Sequence, residues 1–158
     1  MTDEKKKEYT LRISQAGDAA LTIILYEITN DYLEDALKYL EEGKRELFIE
    51  AIHRAQNCIK TQQNSIQFQY EPGTVMFSLY IYLHGQLAKA LAESDPAPIR
   101  EVMETEQKLC DAYKQVEATM EEQPLMENAQ KVYVGLTYGK NSMPENMEAG
   151  SDNRGFRA

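Results

Sequence analysis

Residues 18–43 read DAALTIILYEITNDYLEDALKYLEEG. Apolar side chains recur at three- and four-residue spacing for seven turns, the period of a helix rather than of a strand. Asp18 can serve as the N-cap, and Gly43 sits where a helix ends in a left-handed residue. Three further segments repeat this pattern: residues 44–69, 74–92 and 96–122. Tyr70-Glu71-Pro72-Gly73 separates the second from the third. Ser94-Asp95-Pro96 separates the third from the fourth, with Asp95 as N-cap and Pro96 in the first helical position. Connections this short make consecutive helices antiparallel neighbours. The sequence therefore predicts an all-α, up-down-up-down four-helix bundle over residues 18–122.

The flanks read differently. Residues 1–17 form an N-terminal arm in which Tyr9, Leu11 and Ile13 alternate, giving a short strand-like piece or an extra helical turn. Residues 123–158 form a tail. Val132, Val134 and Leu136 give it a weak strand signal, and beyond Gly139 its polar composition predicts disorder.

The chain has 158 residues, which fits one domain with tails. Its net charge of −9 opposes phosphate backbones and anionic lipid, so neither nucleic acid nor a membrane surface is the expected partner. No run of 18 apolar residues predicts membrane insertion, and Met1–Lys7 lacks the apolar stretch of a secretory signal. Two cysteines outside any paired motif, Cys58 and Cys110, fit a reducing, cytoplasmic setting.

The faces of the helices carry the functional expectation. The fourth helix has one stripe, Ile99, Val102, Met103, Leu109, Cys110, Tyr113, Val116 and Met120, opposite a charged face. The second has Phe48, Ile52, Ala55, Ile59 and Ile66, with Gln62 on the stripe. A glutamine there either finds hydrogen-bond partners or sits at a wet edge. The first and third helices are apolar on two sides. On the first, Leu21, Ile24, Leu25, Ile28, Tyr32, Ala36 and Tyr39 are expected to face the bundle. Ile23, Tyr26, Leu33, Leu37 and Leu40 form a second stripe. On the third, Met76, Leu79, Tyr80, Leu83, Leu87, Ala90 and Leu91 face inward, and Phe77, Ile81, His84 and Ala88 lie opposite. A bundle helix needs one wide apolar stripe, so the second stripes call for a cover. That cover is the arm or tail, a second copy of the chain, or a partner helix.

Chemistry finds little support. A di-metal bundle site needs Glu-x-x-His on two helices. The chain has one match, Glu50-Ala51-Ile52-His53, and with Ile52 inward its Glu and His point outward. His84 has no glutamate three residues before it, and no P-loop, GxGxxG or nucleophile-elbow motif occurs. No cofactor, metal or catalytic residue is expected. A small-molecule or metal-binding bundle enzyme is the alternative from another class.

Four pieces in order carry a resemblance: Leu21–Glu27 (LTIILYE), Ala55-Gln56 followed by Ile59, Leu79-Tyr80-x-Tyr82 followed by Leu87 and Ala90, and Asp111-Ala112-Tyr113-Lys114. Together they resemble the flagellin-specific export chaperones of bacteria, the FliS family, over about Ala16 to Val116. The resemblance implies a cytoplasmic chaperone that binds the disordered C-terminal segment of flagellin, prevents premature polymerisation and brings the client to the flagellar export gate. It implies apolar grooves for that client, with an N-terminal arm occupying a groove in the free protein. The expected partner-binding residues are Ile23, Tyr26, Leu33, Leu37, Leu40, Phe77, Ile81 and His84, with Tyr9, Leu11 and Ile13 as the displaceable arm. A related adaptor for another export substrate or regulator, and a homodimer formed without client, are the alternative occupants.

Overall fold

The computed structural model describes residues 1–66 and 72–121. Five helices occupy them: α1 (Asp3–Gln15), α2 (Asp18–Glu41), α3 (Arg45–Asn64), α4 (Pro72–Glu93) and α5 (Pro96–Glu121). Helices α2 to α5 are the expected four-helix bundle. The strand signal at Val132–Leu136 and the 123–158 tail lie outside the described residues, as does the end of the expected second helix beyond Ile66.

The arm is neither strand-like nor a single extra turn: α1 runs 13 residues. Its start explains this. Thr2 caps it by accepting from the Lys5 backbone N–H at 3.3 Å. Asp3 and Glu4 lie in the first turn and Arg12 in the last, each charge matched to the helix dipole.

Local chemistry sets the other boundaries. Gly17, rather than Asp18, is the N-cap of α2, and Asp18 takes the first helical position, where its charge faces the positive end of the helix. α2 closes in a Schellman turn: Gly43 N–H donates to Leu40 O at 3.2 Å, and Lys44 N–H to Tyr39 O at 2.9 Å. Gly43 stands at φ 68°, which only glycine adopts without cost. At the α4–α5 corner Asp95 Oδ1 accepts from Ala97 N–H at 2.9 Å, capping the helix that Pro96 opens. Ser94 holds a left-handed φ of 54° there, and its hydroxyl accepts from Arg45 at 3.3 Å, tying that corner to the start of α3.

The core draws on all four bundle helices. α2 contributes Ile23, Tyr26, Leu33 and Ala36; α3 contributes Phe48, Ala51, Ile52, Ala55 and Ile59; α4 contributes Tyr80, Leu83, Leu87 and Ala90; α5 contributes Ile99, Val102 and Cys110. For α2 this corrects the expected partition. The row Ile23, Tyr26, Leu33, taken as the outer stripe, faces the core. Leu37 and Leu40, half-buried, pack against it. The physical reason lies beside the other row. Glu27, Asp31 and Asp35 follow one another at four-residue spacing, next to Ile24, so that side of α2 cannot enter an apolar interior. Ile24 is buried but stands outside the main core cluster, as does Tyr9 of α1.

Candidate functional site

The acidic row of α2 is the seat of α1. The two helices run antiparallel, and successive groups of α1 meet successive carboxylates. The Met1 amino group meets Asp35, Lys5 Nζ lies 2.5 Å from Asp31 Oδ1, and Arg12 Nη2 lies 2.6 Å from Glu27 Oε2. Tyr9 adds the one buried side chain of α1. Its hydroxyl donates to Asp31 Oδ2 at 2.7 Å, and the Arg12 guanidinium lies over its ring at 5.4 Å. Lys114 of α5 reaches Glu27 Oε1 at 2.9 Å from the other side. Burial pushes the Glu27 carboxyl up, but hydrogen bonds from Lys114 and Arg12 outweigh it and hold the group below its ordinary range. Asp31 raises Lys5, and burial together with Asp31 raises Tyr9 far above an ordinary phenol. α1 is thus held chiefly by charge and one ring.

This seating corrects the expected apolar cover. Leu11 is 59% exposed and Ile13 45% exposed, so neither lies in a groove. Of the three arm residues named from sequence, Tyr9 alone packs inward. The charged partners Lys5, Arg12, Glu27, Asp31 and Asp35 escaped that reading. Their signal is periodic: acids four apart on α2, and bases seven apart on the arm.

The outward face of α4 holds the remaining expected residues. Phe77, Ile81 and His84 are four and three residues apart and so share one face. Phe77 is half-buried, Ile81 is 54% exposed, and His84 is exposed. Tyr82, beside them, is also exposed and donates its hydroxyl to Glu101 at 2.6 Å. The structure therefore keeps the α4 part of the predicted partner surface outside. It places Ile23, Tyr26 and Leu33 of α2 inside, so the two sets form no common surface.

Within the bundle lies a buried polar cluster that the stripe of α5 conceals. Glu106 falls between Met103 and Leu109 on the inward face and is closed to solvent. Gln62 of α3 donates from Nε2 to Glu106 Oε2 at 2.8 Å and to Thr29 Oγ1 at 3.1 Å. Burial pushes the Glu106 carboxyl up to about 7, with only the Gln62 hydrogen bond opposing it. Nearby, the Tyr26 and Tyr80 hydroxyls pair at 2.5 Å, and Tyr26 meets the Tyr113 ring at a centroid distance of 5.6 Å. Gln62 is thus a satisfied donor in the core, not a wet-edge residue.

Glu50 and His53 are engaged elsewhere, Glu50 with Arg54 and His53 with Gln56. Among the described residues no group of three or more His, Cys, Asp or Glu side chains is placed to hold a metal, and no helix is long and apolar enough to cross a membrane. Both cysteines are free, and burial raises both thiols, Cys58 to about 11.

Comparison with curated proteins gave no match. A protein-family model described as flagellar protein FliS matches residues 1–120, from α1 to the last turn of α5. The match covers the bundle and also α1 itself, which the four sequence pieces did not reach. Flagellar export chaperones make up this family. With most of its length matched and the expected helical bundle in place, the chain belongs to the FliS family.

Proposed function

We propose that this protein binds the disordered C-terminal segment of flagellin in the cytoplasm, keeps it from polymerising, and hands it to the flagellar export gate. The observation that carries the reading is the seat of α1. A 13-residue helix rests on α2 through ion pairs and a single buried ring, on the side of α2 that also carries the buried Ile24. The Lys5 and Arg12 side chains remain 45% and 39% exposed, so solvent screens their pairs and each contributes on the order of 1 kcal/mol. A client helix that sets an apolar side chain on the Ile24 side and cations on Glu27, Asp31 and Asp35 can therefore exchange with α1. The Phe77, Ile81 and His84 row on α4 offers a second contact of the same character.

The energetics suit a disordered client. At about 25 cal/mol per Å², burying roughly 1,000 Å² of apolar surface gives about 25 kcal/mol gross, most of which offsets ordering and association. Weakly covered apolar surface supplies such area without exposing it permanently. The acidic coat keeps the free protein dispersed.

The test is titration of a flagellin C-terminal peptide into the parent and into Ile81→Glu. The proposal expects saturable binding by the parent and weaker binding by the variant, with helicity unchanged. Equal binding by both removes the α4 row from the site, and no binding by the parent removes flagellin as the client.

A further inference from the structure

Two residues, Ala16 and Gly17, separate α1 from α2. Both are extended, and Gly17 caps α2 without a side-chain hydrogen bond. A break of this kind leaves N–H and C=O groups that an unbroken helix would pair. Closing the break would therefore recover backbone hydrogen bonds, provided that α1 found a seat elsewhere.

The register of the seat allows that. Lys5 and Tyr9 meet Asp31, and Arg12 meets Glu27, so the midpoints of these contacts run from Asp18 to Ala20. In one unbroken helix from Asp3 to Glu41, Tyr9 and Asp31 are 22 residues apart and share a side to within about 40°. Arg12 and Glu27, 15 apart, share it to within about 60°. A hairpin of two helices need not meet this condition, and here the bases of α1 and the acids of α2 fall on one side. Two such helices, laid antiparallel in the same register, cross at their midpoints. On the shared side that point carries Ala16 and Ala20, which permit a close approach, and Asp18 lies on the opposite side.

We propose that two copies of this chain exchange α1. Ala16 and Gly17 join the helix, and the α1 of each copy lies on the α2 of the other. Lys5 and Tyr9 then meet the partner's Asp31, and Arg12 meets the partner's Glu27. The contacts of the seat are kept, completed by the second copy, and the backbone groups at the break gain helical partners. Exchange of an identical element between protomers is a low-cost route to a dimer. It does not rest on the chaperone reading, because α1 fills the acidic row in both forms.

Position 17 distinguishes this dimer from one formed face to face. Gly17 has φ −81° and follows Ala16 at ψ 141°, and a Cβ at position 17 would meet nothing within 4 Å. Proline fits that bent form, because it holds φ near −65° and favours an extended residue before it, but it breaks a continuous helix. Alanine does the reverse, as a poorer cap than glycine and a better helix residue. Sedimentation of the full chain from micromolar to millimolar concentration should show the parent in monomer–dimer equilibrium. Gly17→Ala should lower the dimer dissociation constant about tenfold or more, since each dimer contains two such positions. Gly17→Pro should stay monomeric throughout, with its α1 amides still protected in hydrogen exchange. Parent and Gly17→Ala chains that both stay monomeric, a dissociation constant unmoved by Gly17→Ala, or a dimer that survives Gly17→Pro each overturns the proposal. None of these measurements involves the flagellin segment, so their failure leaves the chaperone reading untouched.

Discussion

Gln62 of α3 and Glu106 of α5 meet at 2.8 Å inside the bundle, amide to carboxyl, with both side chains closed to water. The contact links two helices that are not consecutive in the chain. Burying a carboxyl with one amide for company is costly when it ionises.

That cost predicts a pH dependence. Glu106 is raised from an ordinary 4.5 to about 7, so the folded chain holds a proton that the unfolded chain has released. The contribution of Glu106 to stability is full below pH 4.5, falls as pH rises toward 7, and stays lost above it, by on the order of 3 kcal/mol. Glu106→Gln keeps an oxygen for Gln62 and cannot ionise. Denaturant unfolding at a series of pH values should show the parent losing stability relative to the variant between about 4.5 and 7. Parallel curves would show that the carboxyl is not buried as described.

The seat of α1 predicts a salt dependence. Asp31 receives both Lys5 and Tyr9. Asp31→Asn should loosen α1 by about 1 kcal/mol, since the Lys5 pair is half-exposed and worth little. Raising ionic strength should loosen the parent in the same way. Hydrogen exchange of the α1 amides checks this: they should exchange faster in the variant and in high salt, with α3 unchanged.

The inward position of Leu33 predicts a stability effect. It is fully buried in the core, so Leu33→Ala should cost about 2–5 kcal/mol, measured by denaturant unfolding. A residue on an open partner face would cost a fraction of that. The same comparison with Ile81→Ala, at an exposed position, should give a change of about 0.5 kcal/mol or less.

These contrasts show what the sequence made legible. Boundaries were readable because they rest on local chemistry: Gly43 in its left-handed turn, and Asp95 capping ahead of Pro96. The direction of α2 was not. Its apolar residues surround it, and periodicity alone cannot say which stripe turns inward; the acid row Glu27, Asp31 and Asp35 decides it. α1 escaped because DEKKKEYTLRISQ buries a single side chain and shows no stripe. It is a helix by virtue of its cap and charges and is placed by ion pairs that only the folded α2 presents. Glu106 was hidden by its apolar neighbours on the stripe, although its register, four residues before Cys110, is that of a core position. On α4 the outward row of Phe77, Ile81 and His84 was legible because the opposite face, with Tyr80, Leu83 and Leu87, is the bulkier one.

A flagellin C-terminal segment is expected to bind this bundle and take the place of α1. Hydrogen exchange of the full chain, with and without a saturating flagellin C-terminal peptide, tests it most directly. On binding, α1 amides should lose protection while those of α2 around Ile24 and of α4 around Ile81 keep or gain it. An exchange pattern unchanged by the peptide, or one in which α1 becomes more protected, would contradict it.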